Sequence, residues 1–308
     1  MRILIVGAGA IGGYFGGRLV QSGADVSFLV RPKRREALAA TGLVIKSPMG
    51  DFSAPVKTVL AEEIAAPYDL VFLSCKAYDL DNAIASLTPA MGPNSALMPM
   101  LNGMAHLDRL NDRFGEERIL GGLCAISSTL GPKGEILHLN NVHLIVFGEQ
   151  NGQMSDRVQA IAALFGKTAF ASRASDIILQ EMWEKWVFLS SLAAVTCLMR
   201  ANVGEIVAAG GAPMIETILD EVRAVAAASS HAQRAEVYAK VRADLTDPSS
   251  TVAASMLRDL EKGGPVEADH VLGDLIARGE RAGVATPLLS LAYTHLKAAE
   301  QRWARRGA

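Results

Sequence analysis

Three glycines in the order Gly7-Ala8-Gly9-Ala10-Ile11-Gly12 have the spacing of a turn that cradles a dinucleotide's phosphates. The first glycine permits the tight turn, the second lets the backbone approach a pyrophosphate, and the third lets the following helix pack against the strand. Helix N-terminal N–H groups and the helix dipole would then hold the anion. Context strengthens this reading. The apolar run Ile3–Val6 has the composition of a strand covered on both faces, Tyr14–Gln21 reads as a helix, and Val26–Val30 as a second strand. An NAD site places an acid roughly 20 residues beyond the glycines. Here Arg31 stands at the carboxyl end of the second strand, and the run from Leu29 to Arg35 holds no acid before Glu36. The planar guanidinium of Arg31 suits a 2′-phosphate, which favours NADPH over NADH. A solvated basic turn is the plainer alternative, especially for Lys33 to Arg35.

Three further side chains could do chemistry. Lys76 and Asn102 follow the strand-like runs Leu70–Ser74 and Ala96–Pro99, and strand carboxyl ends are where ligands bind in open α/β sheets. Each is equally readable as a loop residue, and Asn102-Gly103 is also a common turn pair. Lys185 lies midway along a long helical stretch between Trp183 and Trp186. A lysine partly desolvated by such neighbours is tuned towards neutrality and can donate a proton to a carbonyl oxygen. From spacing alone, a surface lysine paired with Glu181 one turn earlier is the simpler reading.

The elements that must position these residues divide the 308-residue chain into an α/β half, residues 1–172, and a helical half, residues 173–308. In the first, strand-like runs at Gly42–Lys46, Ile119–Gly121, Cys124–Thr129, Glu135–Leu139 and His143–Phe147 join those already named. The last three are separated by Gly-Pro-Lys-Gly and Asn-Asn, which read as hairpin turns and predict an antiparallel extension of a parallel sheet. Helical periodicity covers Leu80–Leu87, His106–Phe114 and Met154–Phe165. In the second half, helices are expected from Ser175 or Asp176 to about Met199, and over Ala212–Ser229, Ala232–Leu245, Thr251–Glu261, Asp269–Ala282 and Pro287–Trp303. The fold class is therefore α/β, a Rossmann-type doubly wound sheet followed by an all-helical domain. No long linker is visible near Ala171–Ala174, so a substrate cleft between the halves is expected.

Composition excludes other classes. Half the residues are apolar, a fifth are charged and the formal net charge is −2, so no global field draws the chain to nucleic acid or an anionic membrane. Cys75, Cys124 and Cys197 match neither a disulfide framework nor a zinc spacing, which fits a reducing cytoplasm. The six histidines form no metal-ligand spacing. With a strand beginning within three residues of Met1 no signal peptide is expected, and the apolar run Trp186–Met199 is too short to span a bilayer. The apolar C-terminal helices could bury a homodimer face or complete their own core.

Taken together, Gly7–Gly12, Ser-Cys-Lys-Ala-Tyr at Ser74–Tyr78, Leu-Asn-Gly-Met at Leu101–Met104, Trp-Glu-Lys at Trp183–Lys185, Ser255–Asp259 and Pro265–Asp269 resemble the ketopantoate reductase (2-dehydropantoate 2-reductase) family. The resemblance spans nearly the whole chain, and its Ser255–Asp259 and Glu267–Asp269 segments are the most specific. It implies NADPH-dependent reduction of a small-molecule 2-oxo acid, ketopantoate, to pantoate, on the route to pantothenate and coenzyme A. It further implies Lys185 as general acid and Glu267 as a substrate-binding or lysine-supporting carboxylate. Ser255 would hydrogen-bond the substrate, Asn102 would contact nicotinamide or substrate, and Lys76 would lie in the cleft. Two departures stand out. Leu189 and Ala193 occupy positions, one and two turns beyond Lys185, where well-characterised reductases carry asparagines, and losing two amides favours a more apolar oxo acid. Asp79 is a carboxylate where relatives often have a neutral polar residue, and it would repel a 2′-phosphate if it faced inward. Two other readings remain: a non-catalytic NADP(H) sensor, against which Lys185 and Glu267 speak, and a dehydrogenase of another substrate class.

Overall fold

A computed structural model describes residues 1–307, with side chains through Arg305. Its contacts divide the chain into two units, Met1–Leu101 with His106–Leu179, and Asn102–Ala105 with Gln180–Ala308.

The first unit holds strands β1 (Arg2–Val6), β2 (Asp25–Leu29), β3 (Leu43–Lys46), β4 (Phe52–Ala54), β5 (Lys57–Val59), β6 (Leu70–Leu73), β7 (Ala96–Pro99), β8 (Leu120–Leu130), β9 (Ile136–Glu149) and β10 (Ala171–Ala174). Its helices are α1 (Ala10–Gln21), α2 (Pro32–Thr41), α3 (Leu80–Leu87), α4 (Ala105–Phe114) and α5 (Asp156–Phe165). Five strands form an all-parallel sheet in the order β5-β2-β1-β6-β7. The order reverses at β1, which lies between β2 and β6. That reversal places the ligand-binding edge of the sheet at the carboxyl ends of β1 and β6.

The antiparallel pair β8 with β9 does not extend the parallel sheet as expected but belongs to a second five-stranded sheet, β10-β9-β3-β4 with β8 also on β9. Helix α1 lies between the two sheets, and its glycines explain how. A β-carbon at Gly16 would press on Phe28 and Ile5 of the parallel sheet, whereas one at Gly13 or Gly17 would press on Ile136, Ile45 or Leu43 of the second. Residues one turn apart share a helix face, so the four-residue spacing gives α1 two flat sides.

Several sequence expectations change. The Asn140-Asn141 pair is not a turn. Glu135–Leu139 and His143–Phe147 merge into the single strand β9, and Ile119–Gly121 and Cys124–Thr129 likewise merge into β8, with a register shift between Ile126 and Ser128. The Asn140 carboxamide accepts the Ser127 N–H, so it serves the ladder instead of reversing the chain. Ala171–Ala174 is a strand paired in parallel with β9, not a connection. Strands β4 and β5 and the short helix α7 (Val203–Ala208) have no counterpart in the periodicity reading.

The second unit is helical: α6 (Ile178–Met199, entering from the first unit), α7, α8 (Ala212–Ala228), α9 (Ala235–Thr246), α10 (Ser255–Glu261), α11 (Asp274–Ala282) and α12 (Pro287–Gly307). Residues 251–254 are not helical, because Ser250 Oγ accepts the Val252 N–H in a local turn and the helix begins only at Ser255. Helix α12 starts at Pro287 as expected, and its first N–H groups, from Leu288 and Leu289, are accepted by the buried Glu221 carboxylate of α8. Among the described residues no helix is long and apolar enough to cross a membrane, and no His/Cys/Asp/Glu group is placed to hold a metal.

Candidate functional site

Gly7 has φ +93°, a conformation that favours glycine, and its N–H donates to Leu29 O at 3.0 Å, which turns the chain off β1. Gly12 is packed so closely that a β-carbon there would collide with the Gly7 carbonyl and the Ser74 hydroxyl. Beside Gly9, by contrast, nothing lies within 4 Å of the corresponding position. One glycine is thus demanded by the fold and one leaves space for a ligand, which is the division of labour a pyrophosphate turn needs. The loop's carbonyls are tied back from behind. Arg34 Nε donates to Ala8 O at 3.1 Å, Arg34 Nη1 to Gly134 O at 3.0 Å, and Ser128 Oγ to Ala10 O at 3.3 Å. Helix α1 starts at Ala10 with no side-chain cap and no acid in its first turn, so Ala10, Ile11 and Gly12 present backbone N–H groups suited to an anion. These residues fit the diphosphate of a dinucleotide.

Arg34 was not singled out by the sequence, which reads Lys33 to Arg35 as a solvated turn. It is half-buried, and that burial lowers its pKa. Nothing in the sequence distinguishes it from Arg35, which instead pairs with Glu63 at 2.6 Å. Arg31 stands just before α2, with its side chain 71% exposed and ion-paired with Asp79 at 2.7 Å. Lys76 is exposed, three residues beyond β6, and its carbonyl accepts the Asp79 N–H at 2.9 Å.

The second unit carries the other candidates. Gly103, φ +81°, lets the backbone after Asn102 press against His270, where a β-carbon would meet the carbonyl at 2.9 Å. Asn102 Oδ1 accepts a hydrogen bond from Lys185 Nζ at 3.2 Å. The structure thus joins two residues 83 positions apart that the sequence proposed separately. On either side of the half-buried Lys185, α6 is locked. Glu184, buried, accepts from Arg234 Nη2 at 2.6 Å, Arg234 Nε at 2.9 Å and the Arg234 N–H at 3.0 Å. Burial opposes ionisation of Glu184, but the Arg234 hydrogen bonds outweigh it and hold the carboxyl below its ordinary value. Trp186, also buried, donates its indole N–H to Val271 O at 2.9 Å.

Glu267 is half-buried and lies just before a π-type widening over Asp269–Gly273 that leads into α11. Its carbonyl accepts the Val271 N–H at 2.9 Å. Widenings of this kind are frequent at functional sites. Asp269 is held by Tyr293 Oη at 2.7 Å and Lys297 Nζ at 2.8 Å, and these bonds lower its pKa against the opposing effect of burial. Ser255 is exposed as the first residue of α10, and the N–H of Ala254 before it donates to Thr196 Oγ1 at 3.3 Å. That places Thr196 in the support of α10. Ser190 and Ser191 are fully buried, away from the Lys185 face, as the helical period requires. Leu189 is half-buried and Ala193 buried.

Comparison with known proteins gives one answer. The profile described as "Ketopantoate reductase PanE/ApbA" matches residues 3–152, and its C-terminal companion matches residues 177–300. The uncharacterized oxidoreductase YkpB of Bacillus subtilis (strain 168) is 37% identical over 96% of this chain and 98% of its own. A crystal structure of 2-dehydropantoate 2-reductase from Geobacter metallireducens GS-15 is 33% identical with a TM-score of 0.88, covering 97% of this chain and 100% of that one. The fold is also that of a D-mandelate dehydrogenase solved with NADH and anilino(oxo)acetate, at TM-score 0.88 and 23% identity, covering 99% and 100%.

Proposed function

Because the chain belongs to the ketopantoate reductase family and is an oxidoreductase acting on CH–OH groups, we propose that it reduces a 2-oxo acid to the 2-hydroxy acid with NADPH. Ketopantoate is the substrate the family suggests, which would place the reaction on the cytoplasmic route to pantothenate. The observation that carries the reading is the Lys185 Nζ to Asn102 Oδ1 contact, since it fixes an ammonium group beside a residue expected at the nicotinamide.

Bound NADPH would supply the hydride that reaches the ketone carbon. Gly7 to Gly12 would hold its diphosphate and Arg31 its 2′-phosphate, while Lys76 would lie in the cleft beside the cofactor or substrate. Lys185 Nζ would pass its proton to the oxygen as alkoxide charge develops there, a step worth roughly 10²- to 10⁴-fold in rate. Asn102 aims that ammonium, because an amide oxygen accepts a proton donor without removing its charge. Glu267 would support the lysine or bind the substrate, and Ser255 would donate to the substrate.

A second reading within the same chemistry is favoured by Leu189. An apolar side chain one turn from Lys185 suits an oxo acid lacking the hydroxyl of ketopantoate. Nicotinamide absorbance, followed with ketopantoate beside a panel of apolar 2-oxo acids, tests both. Turnover that is lost in Lys185→Ala while NADPH still binds supports the proposal. Tight NADPH binding with no turnover of any oxo acid overturns it in favour of a sensor.

A further inference from the structure

The sheet order sets β2 and β6 on either side of β1. Arg31 follows β2 and Asp79 lies beyond β6, yet their side chains meet at 2.7 Å. The ion pair therefore reaches across the carboxyl end of β1, at the edge where the Gly7 turn begins. With side chains 71% and 34% exposed, it adds little to the stability of the fold. Nor does Asp79 cap the helix it precedes, since its side chain makes no capping bond to α3. The neighbouring charges are mixed: Lys76 lies on the same short turn, and Asp81, two residues further on, pairs with Arg109.

We propose that Asp79 is a specificity-determining residue for the dinucleotide, setting the choice between a 2′-phosphate and a 2′-hydroxyl through its hold on Arg31. This inference rests on the dinucleotide reading above. A phosphate monoester needs the guanidinium that Asp79 occupies, and a carboxylate close by repels its two negative charges. A ribose hydroxyl has the opposite requirement, because it can donate to a carboxylate. The pair thus lowers the NADPH preference that Arg31 alone would confer.

Calorimetric titration of NADPH and NADH into the wild-type chain, Asp79→Asn, Asp79→Glu and Arg31→Gln tests this. In Asp79→Asn the NADPH Kd is expected to tighten about tenfold, ~1.4 kcal/mol, with NADH unchanged or weaker. Arg31→Gln is expected to lose NADPH preference, and Asp79→Glu, which keeps the charge, to retain the wild-type ratio. The Asp79→Asn effect should shrink as salt screens it. A ratio of the two Kd values within about twofold of wild type in Asp79→Asn overturns the proposal, since a tenfold change is only ~1.4 kcal/mol and well resolved. Wild-type protein that binds neither nucleotide overturns the dinucleotide reading and this inference with it.

Discussion

Trp186 donates its indole N–H to the carbonyl of Val271 at 2.9 Å, and the Ser190 hydroxyl reaches the same oxygen at 3.3 Å. Val271 lies within the widened Asp269–Gly273 segment, where the backbone departs from the regular α-helical ladder. Two residues one turn apart on α6 therefore serve one carbonyl of that segment, and they couple the Lys185 helix to the segment following Glu267. Trp186→Phe keeps the ring and removes the donor. It is expected to cost about 1–2 kcal/mol in urea unfolding. If Lys185 and Glu267 act as proposed, it should also lower kcat more than it raises KM, because the Lys185 helix loses its tie to the segment after Glu267. An unchanged kcat per folded molecule would reduce Trp186 to a stability role.

Gly12 and Gly9 separate what the fold requires from what a ligand requires. Gly12→Ala forces a methyl into the Gly7 carbonyl and Ser74 hydroxyl, and is expected to cost about 1–3 kcal/mol as well as nucleotide binding. Gly9→Ala meets open space and should leave the thermal midpoint unchanged while weakening NADPH. Thermal melts paired with nucleotide titrations check both variants. Equal loss of stability in the two would contradict the division.

The glycine turn was legible because its chemistry is local: the run Ile3–Val6, the spacing and the following helix all fall within twenty residues, and β1 and α1 appear where expected. Lys185 was ambiguous in sequence because the residue that receives its proton donor, Asn102, is 83 positions away. The roles of Arg34 and Thr196 were hidden for the same reason. Each acts through a backbone group brought close only by the fold, Ala8 O for one and the Ala254 N–H for the other. The Asn140-Asn141 turn signal misled in extent: residues 139–142 stand out of register opposite Ser127 as a bulge, and the pairing with β8 resumes on either side without reversing the chain.

Leu189 is where the substrate question can be decided. It lies one turn from Lys185 and is half-buried, so an amide can replace it without stranding a polar group in the core. Ala193 is 3% exposed, and an asparagine there would overpack the helix. Leu189→Asn is expected to raise kcat/KM for ketopantoate by roughly tenfold relative to an unhydroxylated 2-oxo acid, a change of ~1.4 kcal/mol in discrimination. Kinetics with the two acids in parallel measure it. No change in their ratio would remove Leu189 from the specificity determinants.

The buried Glu184 and its partner Arg234 give a pH prediction with a definite sign. Arg234 hydrogen bonds hold Glu184 below its ordinary value of 4.5 in the folded chain despite burial. A carboxylate depressed on folding contributes stability that is fully present above its unfolded pKa and is lost as pH falls through the folded value. Removing the guanidinium tilts the balance towards the protonated acid, because burial is then opposed only by the backbone N–H at position 234 and the Gln180 amide. Arg234→Ala is therefore expected to cost about 3 kcal/mol at neutral pH, the low end for breaking a buried pair because the Arg234 side chain is 40% exposed. That cost should shrink towards about pH 4 and below, where the wild-type chain loses the same contribution. Glu184→Gln should flatten the acid limb in both backgrounds. Urea titrations of the four combinations at neutral and acid pH give the coupling directly. A cost for Arg234→Ala that does not change with pH would mean that the pair acts through packing of the arginine stem and not through its charge.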